Sequence, residues 1–312
     1  MKRFGAILLL AALVGCDGSQ SSVVLAATEQ PVATGWMTPE AKSDDLLYVS
    51  AGQDIYAFSY PAGKLVGTLT GFYQSAGLCT DKAGDVFVPN QLGVAILEFA
   101  HGGTKPIALL WDYGQEPVAC AVDPVTGDLA VMDSNTADGG AGSVAIYHKA
   151  RGWPRYVEGK GDLYWFCSYD NAGNLFYDYQ DLYHKFHLME LFKGSRKAKE
   201  IALHANVPLL GAIQWDGSHI TIGEDNAATI YRLAISGSQA KIVGTSKFGG
   251  TDSPRFVQYW IQGSTVVMPF SRFDHAIGFW RYPAGGKHFK VIPPFGSDVL
   301  FGTTISAAPN SK

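Results

Sequence analysis

Oxygen-bearing side chains recur at one register of this 312-residue sequence: Asn90, Asp133-Ser134-Asn135, Asp178, Glu224-Asp225-Asn226 and Ser271-Arg272. Carboxylate and amide oxygens are the donors that Ca²⁺ or Mg²⁺ takes when they converge. Asn and Asp are also what tight turns prefer, so the same pattern suits plain solvated loops. A second set, Glu116-Pro117, Tyr164-Trp165 and Pro254-Arg255, offers an acid, an arginine and aromatics to a polar organic ligand. The candidate ligand-binding residues are therefore Asn90, Glu116, Asp133, Asn135, Asp178, Glu224, Asp225 and Arg255. No cofactor is implied beyond a Ca²⁺ or Mg²⁺ ion at those oxygens. Cys16 carries chemistry of a different kind. It follows Leu13-Val14-Gly15, and small residues before a cut suit a peptidase pocket that grips an extended chain. Once exposed by cleavage, its thiolate can carry a diacylglyceryl thioether.

The residues before Cys16 fit that reading. Lys2 and Arg3 precede an apolar stretch over 4–14, about half of the roughly 20 residues a membrane-spanning helix needs. Leu13-Val14-Gly15-Cys16 resembles the lipobox of bacterial lipoproteins. That resemblance implies a signal peptide over 1–15 and a palmitate-type anchor on Cys16, with the mature chain lipid-anchored in the extracytoplasmic cell envelope. Two acyl signals, on the sulfur and on the new amino terminus, meet the requirement for stable anchoring. Residues 16–42, rich in Ser, Thr, Ala, Gln and Pro, read as the lipidated cysteine and its spacer, with Trp36-Met37-Thr38-Pro39 beginning to dock on the domain over 43–309.

Past residue 15 the chain holds 22 basic and 28 acidic residues, a formal charge near −6. Such a chain has no overall basic footprint for nucleic acid. With 36 glycines, 12% aromatic and 17% charged residues, it reads as a turn-rich β protein, expected to be monomeric. Cys79, Cys120 and Cys167 form an odd set without a C-x-x-C pair, and each sits in a short apolar segment. Buried small hydrophobes are their expected role.

The elements that position these residues are legible as a repeat. Asp81-Lys82-Ala83-Gly84 leads into a strand, and so do Asp123-Pro124-Val125-Thr126-Gly127, Asp170-Asn171-Ala172-Gly173 and Asp216-Gly217. A weaker copy is Gln262-Gly263. The marker glycines 84, 127, 173, 217 and 263 are spaced by 43, 46, 44 and 46 residues. Tyr60-Pro61-Ala62-Gly63-Lys64 returns 222 residues later as Tyr282-Pro283-Ala284-Gly285-Gly286-Lys287, a hairpin turn in which Pro presets φ and Gly supplies φ > 0. Each unit reads as four short strands; in the second they are 76–80, 85–89, 94–99 and 107–111. The repeated Asp is expected to cap its own turn. Four strands per 40–45 residues is the signature of a propeller blade.

The fold class is thus all-β, a six-bladed β-propeller of four-stranded blades, in which residues 299–306 supply the innermost strand that the front copy at Leu46 lacks. The pattern looks like six-bladed propellers of the NHL-repeat and TolB-like type over about 44–308. These signatures specify a fold and not an activity. The absence of a catalytic set, in a fold whose broad faces serve interaction, points to a tethered binding module for an envelope protein or glycan. Its alternative is a divalent-metal-dependent hydrolase or lactonase at the channel mouth. The resemblance raises it because gluconolactonase and regucalcin-like lactonases share six-bladed architecture and hold an ion with a Glu and Asn/Asp residues on the channel. No Glu opens the first innermost strand here, where Thr303 and Thr304 sit. There is no G-x-S-x-G, H-E-x-x-H or G-x-x-x-x-G-K motif, so the reading favours a non-enzyme. His184 and His187, three apart, fall on opposite faces of a strand.

Overall fold

Repeated short apolar segments joined by Asp- and Gly-rich turns form antiparallel strands that follow one another along the chain. The computed structural model describes residues 33–309, apart from 158, 160, 204–209, 225–227, 251–257, 271–274 and 296–298. Cys16, Asp225, Asn226, Pro254, Arg255, Ser271 and Arg272, named above, lie outside the described residues. Cys79–Thr80, Val86–Asn90, Ala95–Phe99 and Pro106–Trp111 pair in that order. The next run is Gln115–Val122, Leu129–Thr136, Ala141–Tyr147 and Arg155–Val157. Leu163–Tyr169, Leu175–Gln180, Phe186–Leu191 and Lys199–Leu203 form another. Leu210–Trp215, Ile220–Glu224, Thr229–Ser236 and Gln239–Gly249 follow. The last is Trp260–Gln262, Thr265–Pro269, Ile277–Arg281 and Lys290–Ile292.

The front sheet is built from both ends of the described chain. Gly302–Ser306 pairs with 46–50, Leu46 opposite Ser306 and Ser50 opposite Gly302. The strand Leu46–Ser59 cannot be straight, because at about 3.3 Å per residue its ends would stand over 40 Å apart. Yet the Tyr60 N–H donates to Asp45 O at 2.7 Å. The chain folds back at Gly52, whose φ of +71° only a glycine adopts readily, and 54–58 then pairs with Leu65–Ser75. The repeated Tyr-Pro-Ala-Gly turn confirms this as a hairpin: the Tyr282 N–H donates to Ser264 O at 2.8 Å in the same manner. Thr34–Met37 adds an outer strand against 67–70, inside the segment the sequence read as spacer.

The Asp residues of the repeat do cap their turns. Asp81 Oδ1 accepts from the Ala83 and Asp85 N–H groups at 2.8 and 2.9 Å, and Asp170 Oδ1 from Ala172 and Asn174 at 2.9 and 2.8 Å. The chain turns at 181–185 and enters the strand Phe186–Leu191.

Core packing lies between sheets. Phe87, Ile96 and Leu110 of one run meet Leu129, Val131, Ala145 and Tyr147 of the next. Middle strands are therefore covered on both faces, which is why Val86–Asn90 and Ala95–Phe99 are buried throughout. The first strands of successive runs line a shared cavity of about 270 Å³ with Thr80, Cys120, Ser168, Gln214 and Tyr259. Polar side chains join these strands: Gln214 Oε1 accepts from the Ile261 N–H at 2.7 Å, and the Gln258 amide bonds both the N–H and the C=O of Leu78 at 2.9 Å. This is a β-propeller.

The cysteines need a correction. Cys79 and Cys120 are a disulfide, not separate buried thiols, with Cα atoms 5.6 Å apart and a sequence separation of 41. They occupy matching places on neighbouring first strands, so one repeat length brings them together. Cys167 is a buried free thiol, as expected.

Candidate functional site

In each run, the turn between the second and third strands and the connection into the first strand lie at the same end of the sheet. That face carries most of the residues singled out by type. Glu116, near the start of Gln115–Val122, accepts at Oε2 from Gln91 Nε2 at 3.0 Å and from Asn135 Nδ2 at 3.4 Å. Gln91 belongs to the 3-10 turn Gln91–Gly93, and its amide also reaches Ser134 Oγ at 3.4 Å. Ser134 Oγ donates in turn to Glu116 O at 3.4 Å. Two candidates, Glu116 and Asn135, are thus brought together, half-buried, with Gln91 and Ser134.

Asn90 supports this cluster from below. It is fully buried, and its Oδ1 accepts from the Tyr73 N–H at 2.5 Å, fixing the Leu65–Ser75 strand against the Gln91–Gly93 turn. Tyr73 and Leu92 stay exposed beside it, at 57% and 60%. The arrangement is a carboxylate held by two amides, on a face that also exposes Tyr73 and Leu92. It can accept hydrogen bonds from a ligand while packing an apolar portion alongside.

The other predicted acids turn inward. Asp133 is fully buried and accepts from Ser143 Oγ at 2.6 Å across the strand pair. Beside it sits Asp112, also fully buried, which accepts from the Tyr156 hydroxyl at 2.6 Å. Burial pushes both carboxyls above their ordinary range, and Asp112 pushes Asp133 up further. No cationic side chain is among the groups acting on either carboxyl, so nothing nearby offsets these upward shifts. Sequence reasoning missed Asp112. It lies just past a strand end between Trp111 and Tyr113, where nothing in the pattern marks it as facing another acid.

Asp178 is fully buried where the facing strand bulges between Tyr164 and Cys167, and accepts from the Phe166 N–H at 2.8 Å. Burial raises its pKa from 3.8 to about 8, against the lowering effect of the Phe166 and Trp165 N–H groups. Glu224 Oε2 accepts from the Tyr231 hydroxyl at 2.6 Å. Asn90, Asp133, Asp178 and Glu224 therefore each engage neighbouring strands and turns, with Tyr73, Ser143, Phe166 and Tyr231 as their respective donors. Among the described residues no three His, Cys, Asp or Glu side chains are grouped to hold a metal ion. His187 lies between Glu200 and Asp181, its ring nitrogens 2.8 and 3.2 Å from them, and its ring stacks on Tyr179 with centroids 4.6 Å apart. His184 is exposed and has no part in that contact.

Because the folded pKa of Asp178 lies above its unfolded value, its stabilising contribution is complete below about pH 4 and is lost as pH rises through about 8. Asp178→Asn keeps the acceptor for Phe166 and removes the ionisation. The variant is expected to gain on the parent between pH 5 and pH 8, by up to ~1.4 kcal/mol per pH unit. Urea unfolding at the two pH values checks this. An equal offset at both would show that Asp178 does not titrate in that window.

No protein-family model matches the chain, and no curated protein matches it. Solved structures do. A chain of a nidogen/laminin complex superposes with a TM-score of 0.65 and 14% identity, covering 85% of this chain and 98% of that one. A protein of unknown function from Bacteroides caccae gives a TM-score of 0.62 and 13% identity, covering 85% of this chain and 99% of that one. At such identities the likeness is one of fold alone.

Proposed function

We propose that the chain is a six-bladed propeller, closed by its C-terminal strand, that binds a protein or glycan of the cell envelope while held at a membrane through lipid on Cys16. Closure is supported by the register of Leu46 to Ser50 on Ser306 to Gly302. The recurrence of Tyr-Pro-Ala-Gly turns at matching places supports the blade count. The lipobox-like sequence before Cys16 supports the anchor.

The observation that carries the binding reading is the Glu116–Gln91–Asn135 network, on a face that also exposes Tyr73 and Leu92. A carboxylate already oriented by two amides loses little freedom on meeting a donor, and preorganised polar groups beside apolar side chains are what binding sites use. The nidogen/laminin neighbour is known as a complex of proteins, which favours a protein ligand over a glycan.

The test has two arms. Palmitate labelling is expected on the intact chain and to vanish in Cys16→Ser; labelling that persists removes the anchor. A photo-crosslinking side chain is then placed at Leu92, with a control at Val125, exposed on the opposite face. Adducts in native envelopes are expected at position 92 only. Adding Tyr73→Ala with Glu116→Gln is expected to cut the yield at least about tenfold, as for residues at the centre of an interface. Equal adducts at both positions, or a yield unmoved by the two substitutions, would overturn this site.

A further inference from the structure

Two neighbouring turns on the face opposite Glu116 are far more basic than the chain as a whole. Turns joining third to fourth strands open there, and two neighbours are basic. Residues 148–155 read His-Lys-Ala-Arg-Gly-Trp-Pro-Arg, and 192–199 read Phe-Lys-Gly-Ser-Arg-Lys-Ala-Lys. Together these sixteen residues hold seven lysines and arginines and no carboxylate, in a chain with an excess of acids. The two turns belong to one surface, since Arg155, Lys193 and Arg196 line the same cavity of about 330 Å³, floored by Ile146, Leu175 and Leu191. Lys149, Arg155, Lys193, Arg196 and Lys197 are exposed.

Nearby carboxylates offset part of this charge, Glu190 opposite Lys199 among them. Asp123 caps its own turn through Val125 N–H and Thr126 Oγ1, at 2.7 and 2.6 Å. Asp128 binds the Lys149 N–H and the His148 ring at 2.9 and 3.0 Å. Glu98, buried, pairs with Arg151. That leaves an excess of cations, and each turn adds an exposed aromatic. Trp153 is 74% exposed, and Phe192 is 45% exposed with the Lys199 ammonium 5.8 Å from its ring centroid.

We infer that this face rests on an anionic bilayer surface. Clustered cations are drawn to acidic headgroups, and amphipathic aromatics favour the interfacial zone. A flat, negatively charged surface also reaches Lys149 and Lys197, exposed cations that do not line the 330 Å³ cavity. The choice of a membrane over another polyanion rests on the tethering reading above. Held this way, the propeller keeps its Glu116 face turned outward, away from the lipid.

The test uses full-length chain carrying Cys16→Ser, so that no thioether lipid contributes. Vesicles of phosphatidylcholine alone are compared with vesicles containing phosphatidylglycerol, at low and high salt. Binding is expected to favour the anionic vesicles and to fall with salt. Lys193→Gln/Arg196→Gln/Lys197→Gln is expected to weaken that binding by about a hundredfold, at one exposed cation's worth of attraction per site. Trp153→Ala is expected to weaken it several-fold with the salt dependence kept. Equal binding to both vesicles, or a triple variant that binds like its parent, overturns the inference. So does loss of vesicle binding to millimolar inorganic phosphate at constant ionic strength, which would assign the cavity to a free anion. Palmitate labelling reads the anchor separately, so either idea can fail without the other.

Discussion

A chain ended after Leu300 is expected to have no cooperative folded state. The missing segment contains Gly302–Ser306, in which Thr303, Thr304 and Ser306 are fully buried and Ile305 nearly so. Its backbone is half of the ladder with 46–50. Its side chains reach further: Ser306 Oγ shares a hydrogen bond with the His101 ring at 2.6 Å, and Thr303 Oγ1 donates to Val267 O at 3.4 Å. Thr80 Oγ1 also donates to Ile305 O at 3.0 Å. One strand thus joins the front sheet to runs at both of its sides. Removing it leaves buried N–H and C=O groups unpaired at ~1–3 kcal/mol each, against a total stability of ~5–15 kcal/mol. Near-ultraviolet circular dichroism and thermal unfolding would show the outcome. A truncated chain that melts cooperatively within a few degrees of the parent would mean that the terminal strand is dispensable.

The second large effect is expected from Cys79→Ala with Cys120→Ala. Their bond closes a loop of about forty residues, for which the chain-entropy model gives ~4 kcal/mol, and removal of native disulfides costs ~2–5 kcal/mol in small domains. Substituting both residues avoids leaving one thiol unpaired. The urea midpoint is expected to fall, and added reductant is expected to move the parent toward the variant while leaving the variant unchanged. Equal midpoints for parent and variant under oxidising conditions would show that the bond does not hold the two first strands together.

The disulfide also shows where the sequence could have been read further. Cys79 and Cys120 sit at the same place in consecutive units, so the repeat that revealed the blades already made them spatial neighbours. Judging the cysteines by parity and motif overlooked that. The strands themselves were legible because turn chemistry is local: Asp81 and Asp170 cap within four residues, and glycines at φ of +90° and +86° follow them. The direction of the acids was not legible. Asp178 faces the N–H of a bulged strand, and a bulge shifts which face a side chain takes without any mark in composition. Asp112 and Asp133 meet across a junction between runs, a contact fixed by tertiary packing alone. Glu116 and Asn135 were found because position in the unit and side-chain type agreed. Gln91, which joins them, had no signal beyond being next to Asn90.

The outer strand Thr34–Met37 sets a length scale. With those residues committed to the front sheet, a chain anchored at Cys16 has only 16–33 as its leash, and at ~3.5 Å per residue its reach cannot exceed ~60 Å. One molecule confined to a half-sphere of that radius is present at a few millimolar with respect to the membrane beneath it. Contacts that would be negligible between free partners are then occupied much of the time. On the proposed anchoring, the basic turns would need only millimolar affinity for headgroups to bias the resting orientation, and would release as readily when a ligand pulled the opposite face.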